Sequence, residues 1–178
     1  MDTLKEQTAR VVDGDGHVVE DHEAIWQRMP QEYRVGNWSM RSPFAPNDHL
    51  HAANRHFVPE GAFAKVGPNG WLEFLEDVGV ERTVLYPSNG LAFGRVVSRD
   101  WAIELARAYN NWIHEFCQYS PDQMKFAAML PLHDVNLACA ELVRCVTELG
   151  AVGSFVRPNR VNEHFWHSNY WNPLFALH

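Results

Sequence analysis

Residues 9–20 of the chain read ARVVDGDGHVVE. The apolar run that opens this stretch predicts a strand over about 9–13, followed by carboxylates, a histidine and two glycines. Asp15 and His17 are two residues apart, so in extended backbone their side chains point to the same face of a sheet. One carboxylate oxygen and one imidazole nitrogen on a shared face suit a zinc or manganese ion. The stretch therefore predicts a metal-holding pair beside the first strand.

Two alternatives remain open for this stretch. Asp13 and Asp15 are common turn formers, so they can form a turn beside an ordinary surface histidine. A β-bulge at Gly14 or Gly16 would change which carboxylate shares a face with His17, and Asp13 would then be the partner. We take Asp15 and His17 as the metal ligands and Asp13 as a neighbour of the site.

Composition limits the class of protein. With 178 residues, of which 46% are hydrophobic and 12% aromatic, the chain can bury one good core. Its formal net charge of −7 argues against a nucleic-acid binder, which normally shows a basic surface. No run reaches the roughly 20 apolar residues that cross a bilayer, and the polar start does not resemble a signal peptide. Three cysteines fit reduced thiols. We therefore expect a cytoplasmic protein without nucleic-acid or membrane partners.

Strand and helix patterns alternate along the chain. Apolar strands are predicted over 9–13, 82–86, 126–130 and 152–156. Helices are predicted at about 22–29 behind a cap at Asp21, after caps at Asn69, Ser98 and Asp134, and near Tyr170 and Pro173. Continuous apolar strands that alternate with helices are typical of parallel βαβ units.

The segment from about 30 to 68 has no clean period. It is too long for an ordinary connection, so it is a functional loop or a small insertion. Because long loops on such scaffolds usually carry function, we expect it to lie over the substrate-binding rim.

Polar side chains follow each predicted strand. They are Asp13 to His17, Ser88-Asn89, His133-Asp134 and Arg157 to Asn159. In a (β/α)8 barrel, the carboxyl ends of the strands build the active site. A full barrel takes about 250 residues, so this chain would supply roughly the first four βα units of an α/β barrel. No Gly-x-Gly-x-x-Gly follows a strand, so nothing favours a dinucleotide-binding fold.

Several blocks of the sequence point to one family. The blocks are DGDGHVVE at 13–20, GWLEFLEDVGVERTVLYP at 70–87, AYNNW at 108–112, LPLHD at 130–134, ELGAVG at 148–153 and YWNPLF at 170–175. In this order, they resemble the amidohydrolase-related, metal-dependent barrel enzymes. That group includes the aminocarboxymuconate-semialdehyde decarboxylase type.

The resemblance implies a (β/α)8 barrel that holds one zinc or manganese ion and acts on a small molecule. Residues 1–178 would be the N-terminal part of that single barrel domain. Asp15 and His17 match the motif that gives His-x-His in many relatives. The other metal ligands and the catalytic residues would lie beyond His178. We therefore expect the 178-residue piece alone to be inactive, and the full-length protein to form homo-oligomers.

Two further acids belong to the opening motif. Asp13 and Glu20 can support the metal site without binding the ion, Glu20 by orienting the His17 imidazole. The alternative for Glu20 is an ordinary surface acid.

Five residues are candidates for binding substrate. The guanidinium groups of Arg55 and Arg157 can hold a substrate carboxylate in a two-pronged fashion. Ser88, Asn89 and Asn159 follow strands and are candidates by position. For Arg157, a hydrogen bond to nearby loop carbonyls is an equally good interpretation.

A second zinc site is a minor alternative. His49, His51 and His56 cluster in the long loop, and His164 and His167 are three residues apart. No cysteine joins them and their spacing fits no closed zinc site, so loop positions near the rim are the favoured interpretation.

The sequence predicts a metal-dependent enzyme that acts on a small carboxylated or cyclic substrate, by non-oxidative decarboxylation or by hydrolysis. The alternative is a catalytically incomplete half-barrel that acts as a binding remnant or is a truncated product.

Overall fold

The computed structural model describes residues 10–34, 44 and 67–178. Its centre is a parallel sheet in the order β1-β2-β3-β4, so each strand pairs with the next one along the chain. The strands are β1 (Val12–Val18), β2 (Arg82–Pro87), β3 (Met124–Ala128) and β4 (Gly153–Ser154). Consecutive parallel strands joined by helices form half of a (β/α)8 arrangement, as the sequence predicts.

Five α-helices connect or follow these strands in the described part of the chain. They are α1 (His22–Gln27), α2 (Pro68–Val78), α3 (Arg99–Cys117), α4 (Val135–Glu148) and α5 (Asn172–Phe175). Short 3-10 turns cover Gln31–Tyr33, Asn89–Arg95 and Asn169–Trp171.

The side chains of Asp21, Ser98 and Asp134 accept hydrogen bonds from backbone N–H groups of the first helical turns, which confirms three predicted caps. The cap predicted at Asn69 is wrong. Helix α2 begins at Pro68 behind Gly67, because proline's fixed φ suits the first helical position.

Three strand bounds differ from the prediction. β1 covers 12–18 rather than 9–13, so the glycines and polar residues lie inside the strand. β3 lies two residues earlier than 126–130, and β4 has two residues rather than five. Apolar runs alone do not set strand ends, because backbone pairing with the neighbouring strand decides them.

The core lies between the helices and one face of the sheet. On β2, Thr83, Leu85 and Pro87 are buried, whereas the residues between them are partly exposed. Leu105 and Tyr109 of α3 are fully buried, four positions apart on one helix face. One face of the sheet is therefore packed, and the opposite face remains accessible.

A β-bulge interrupts the pairing of β1 with β2. Asp13 pairs with Thr83 and Gly16 pairs with Leu85, so two β1 residues stand opposite one residue of β2. Because paired residues of neighbouring strands share a face, Asp13 and Gly16 lie on the packed side of the sheet. A Cβ atom at Gly16 would lie 2.3 Å from the Thr83 hydroxyl oxygen, so the close approach of the two strands requires glycine there.

Most of the predicted 30–68 insertion lies outside the described residues. Arg55 and the histidines at 49, 51 and 56 fall there too, so their predicted roles stay predictions. Within the described part, no helix has the length and apolar character needed to cross a membrane.

Candidate metal centre and adjoining cleft

The predicted pair Asp15 and His17 is brought together near the carboxyl end of β1. The Asp15 Oδ1 atom lies 3.6 Å from His17 Nε2. The Asp15 side chain is 89% exposed and that of His17 is 37% exposed, so both can be reached from solvent. The bulge places them on the accessible face of the sheet, where an ion could bind.

A backbone carbonyl fixes the imidazole of His17. His17 Nδ1 lies 2.8 Å from the carbonyl oxygen of Pro87, the last residue of β2. A carbonyl oxygen can only accept, so Nδ1 carries the proton and the neutral ring keeps its lone pair on Nε2. Such a hydrogen bond is the usual way in which proteins orient a metal-binding histidine. The lone pair therefore points to the side where Asp15 lies.

Asp15 and His17 supply only part of the protein ligands that a metal site needs. No group of three or more histidine, cysteine, aspartate or glutamate side chains in metal-binding positions occurs among the described residues. Structural zinc sites use four protein ligands and catalytic ones three, so Asp15 and His17 could hold an ion only together with water or further ligands.

The carboxylates of Asp13 and Glu20 form hydrogen bonds with residues other than His17. The Asp13 Oδ2 atom accepts a 2.9 Å hydrogen bond from the buried Thr83 hydroxyl. Glu20 is only 5% exposed, so it is not a surface acid. Its carboxylate accepts hydrogen bonds from Asn89 and from the backbone N–H of Gly90, whereas the Pro87 carbonyl holds His17. The Glu20 carboxylate therefore binds the loop after β2 and not the His17 imidazole itself, so any influence on His17 passes through that loop.

A cleft of about 290 Å³ opens beside the carboxyl ends of β2, β3 and β4. Its walls come from the turn after β2, the segment after β3 and the segment after β4. The lining residues are Gly90, Leu91, Ala92, Phe93, Gly94, Arg95, Leu130, Leu132, Phe155, Val156, Arg157, Asn159 and Val161. A mainly apolar cleft with a few polar groups is the usual form of a small-molecule site.

The cleft contains two of the five predicted substrate-binding residues. Arg157 and Asn159 line it, whereas Ser88 and Asn89 stand just before the stretch of lining residues that starts at Gly90. Arg157 Nη1 donates a 3.2 Å hydrogen bond to the carbonyl oxygen of Leu91. This bond agrees with the structural interpretation of Arg157. It uses one N–H group of the guanidinium, so the substrate-binding interpretation stays open.

Tyr86 connects the metal pair with the cleft. Its ring centroid lies 6.1 Å from that of His17 and 6.4 Å from that of Phe155, which lines the cleft. Sequence reasoning missed Tyr86 and the Pro87 carbonyl, although both stand at the end of a predicted strand. Arg95, another lining residue, was also missed, and its place in the turn after β2 was the only signal.

The two histidines after β4 stack on aromatic rings. His164 stacks on Tyr170 at 4.0 Å between ring centroids, and His167 stacks on Phe165 at 5.6 Å. Neither belongs to a metal-binding group among the described residues. The other histidines of the second zinc site, at 49, 51 and 56, lie outside the described residues, so that site stays a prediction.

Comparison with known protein families assigns the chain to one of them. A sequence model of the amidohydrolase family matches residues 12–177. The chain belongs to the amidohydrolase family, and the parallel sheet with its polar carboxyl edge agrees with that assignment.

Three similar proteins illustrate the family. Gamma-resorcylate decarboxylase of Rhodococcus jostii (strain RHA1) is 39% identical over 85 residues, which are 48% of this chain and 26% of that protein. The 2-keto-4-carboxy-3-hexenedioate hydratase of Sphingobium sp. (strain NBRC 103272 / SYK-6) is 29% identical over 111 residues, 58% of this chain and 33% of that protein.

The third is a crystal structure of 5-carboxyvanillate decarboxylase from Novosphingobium aromaticivorans, complexed with manganese and a nitrobenzoic acid. It has a TM-score of 0.64 and 17% identity, and the match covers 96% of this chain and 47% of that one. This similarity confirms the barrel fold. The chain spans about half the length of that structure.

Proposed function

We propose that this chain forms the metal-holding and substrate-facing half of a metal-dependent enzyme that removes a carboxyl group from a small ring compound. The observation that carries the proposal is the Asp15–His17 pair, 3.6 Å apart, with the imidazole fixed by the Pro87 carbonyl. The relatives named as decarboxylases of aromatic acids support the reaction class.

Asp15 and His17 would hold the ion through a carboxylate oxygen and Nε2. When bound, zinc or manganese supplies positive charge that stabilises negative charge developing on substrate oxygens. The Pro87 carbonyl keeps the imidazole proton on Nδ1, so the nitrogen facing the ion remains a ligand.

The cleft would bind the ring and the carboxylate. Phe93 and Phe155 offer apolar walls against which a planar ring can pack. Arg157 uses one N–H group on the Leu91 carbonyl, and its other N–H groups can bind a substrate carboxylate. Asn159 lies in the same wall and can contribute a further polar contact.

Water addition is the second candidate reaction. The similar protein from Sphingobium is named as a hydratase, and a bound divalent ion can also activate water. Release of carbon dioxide distinguishes the two reactions.

The activity test requires a complete barrel, because Asp15 and His17 are two ligands and catalytic zinc sites use three. We would join this chain to the C-terminal half of the Rhodococcus jostii relative, load the fusion with manganese and supply gamma-resorcylate. We expect carbon dioxide release that His17→Ala abolishes. Arg157→Ala should raise KM, whereas the control Arg160→Ala, which removes an exposed ion pair with Glu163, should not.

The 178-residue chain without the added half should release no carbon dioxide. A folded, manganese-loaded fusion that converts the substrate without carbon dioxide release would overturn decarboxylation and favour water addition. A loaded fusion without any turnover would favour the non-catalytic half-barrel.

A further inference from the structure

Glu20 is a buried carboxylate that the proposed chemistry does not use. It is 5% exposed, and its Oε2 atom accepts hydrogen bonds of 3.0 Å from the backbone N–H of Asn89 and 3.2 Å from the Asn89 side-chain amide. Its Oε1 atom accepts a 2.7 Å hydrogen bond from the backbone N–H of Gly90. All three donors found in the described part of the chain are neutral N–H groups. A buried acid held in this way has a specific structural task.

The same four-residue segment that Glu20 holds also orients His17. Residues 87–90 are fixed at their start by the contact between the Pro87 carbonyl oxygen and His17 Nδ1, and at their end by the carboxylate of Glu20. Because only one residue separates Pro87 from Asn89, a shift of the Asn89 amide would turn the Pro87 carbonyl as well.

Gly90 packs closely against Pro87 and Met129. A Cβ atom at Gly90 would lie 2.6 Å from the Pro87 Cβ atom and 2.5 Å from the Met129 Cε atom. Gly90 is also the first residue of the cleft wall. The position of this glycine therefore affects both the Pro87 carbonyl and the cleft.

We propose that Glu20 is a positioning residue: through the backbone of residues 87–90 it holds the Pro87 carbonyl that keeps the His17 proton on Nδ1 and leaves Nε2 free to bind an ion. The inference deepens the proposed function and relies on it for the metal measurement alone. A carboxylate is required because it offers two acceptor oxygens to two backbone donors. In Glu20→Gln, one oxygen becomes an NH2 group that would face an N–H donor.

The first experiment measures the tautomer of His17 in the metal-free 178-residue chain. Nitrogen chemical shifts and long-range proton–nitrogen couplings are recorded at alkaline pH, where histidine imidazoles are neutral. In the wild-type chain the proton should reside on Nδ1. In Glu20→Gln and Glu20→Ala the signals should move towards the Nε2–H tautomer.

Two variants serve as controls. Glu23→Gln changes an acid of α1 whose carboxylate accepts from Gln27 only among the described residues, and it should leave the His17 signals unchanged. Asn89→Ala removes the side-chain donor but keeps both backbone donors to Glu20, and it should also leave the tautomer unchanged. Glu20→Gln retains the size of the side chain, so it remains informative if Glu20→Ala does not fold.

The second experiment measures manganese affinity of the same variants by titration. Loss of a hydrogen-bond partner that orients a metal-binding histidine typically weakens affinity about 10- to 100-fold, and we expect that range for Glu20→Gln. A folded Glu20→Gln variant with the wild-type tautomer would overturn the inference. A shifted tautomer in a chain that binds no manganese, even as wild type, would support the positioning role and contradict the proposed metal site.

Discussion

The Asp13 carboxylate and the Thr83 hydroxyl are joined by a 2.9 Å hydrogen bond on the packed side of the sheet. The β-bulge that follows Asp13 puts Asp15 on the other side, beside His17. The carboxylates of Asp13 and Asp15 thus have different environments. That of Asp13 is hydrogen-bonded on the packed side of the sheet, and that of Asp15 is exposed to solvent. The difference predicts that removing the Asp13 carboxylate destabilises the fold and that removing the Asp15 carboxylate hardly does.

Asp13→Ala should lower the free energy of unfolding by about 1–3 kcal/mol, because it leaves the buried Thr83 hydroxyl without its acceptor. Asp15→Ala should change it by no more than about 0.5 kcal/mol, since its side chain is exposed. Urea denaturation measures both values. In the Asp13→Ala background, Thr83→Val should recover part of the loss, and an equal loss in both single variants would contradict the assignment.

Gly16→Ala should destabilise the chain strongly, by about 2 kcal/mol or more, since overpacking a filled site forces backbone shifts. The new Cβ atom would lie 2.3 Å from Thr83 Oγ1 and 2.9 Å from Asp13 Oδ2. Gly14→Ala is the matched control, because nothing lies within 4 Å of its Cβ position. Thermal melts of the two variants test the bulge, and similar melting temperatures would refute it.

Buried thiols should lower the free energy of unfolding at alkaline pH. Burial raises the pKa of the Cys117 thiol to about 12. A thiol in the unfolded chain ionises at about pH 8.5. Between these values the unfolded chain loses a proton that the folded chain keeps, so the free energy of unfolding should fall as the pH rises above the unfolded value.

The urea midpoint should therefore fall less steeply with pH in Cys117→Ala than in the wild-type chain. Cys139→Ala is the control, because Cys139 is only partly buried, and it should keep a slope closer to that of the wild type. If Cys117→Ala and the wild-type chain showed equal slopes, the buried thiol would not be the cause.

The open edges of the sheet should make the 178-residue chain associate. In the described part of the chain, β1 pairs only with β2 and β4 only with β3. Unpaired edges expose backbone donors and acceptors to other molecules. Sedimentation velocity should show oligomers that grow with concentration, and the chain should bind an apolar dye. Val12→Lys, which puts a charge on β1, should reduce association more than Val97→Lys, outside the sheet. A compact monomer at every concentration would contradict this expectation.

Local signals explain which parts of the fold could be predicted from the sequence. The caps at Ser98 and Asp134 depend on contacts within a few residues, so their side-chain chemistry marks the helix starts. The parallel order of the strands followed from apolar runs that alternate with helices. The shared face of Asp15 and His17 followed from strand geometry.

Contacts between distant positions explain what the sequence could not predict. The bulge depends on Asp13 meeting Thr83, 70 positions away, and the burial of Glu20 depends on Gly90, also 70 positions away. No local sequence pattern predicts either contact. The orientation of the Pro87 carbonyl towards His17 is likewise a property of strand pairing, not of residue type.

Manganese titration of the 178-residue chain, followed by the loss of the free-ion electron paramagnetic resonance signal, measures whether Asp15 and His17 hold an ion. We expect one bound ion in the wild-type chain, lost in both Asp15→Ala and His17→Ala and retained in the control His167→Ala, whose ring stacks on Phe165. Retention of one tightly bound ion in folded His17→Ala would contradict the claim that Asp15 and His17 hold the metal.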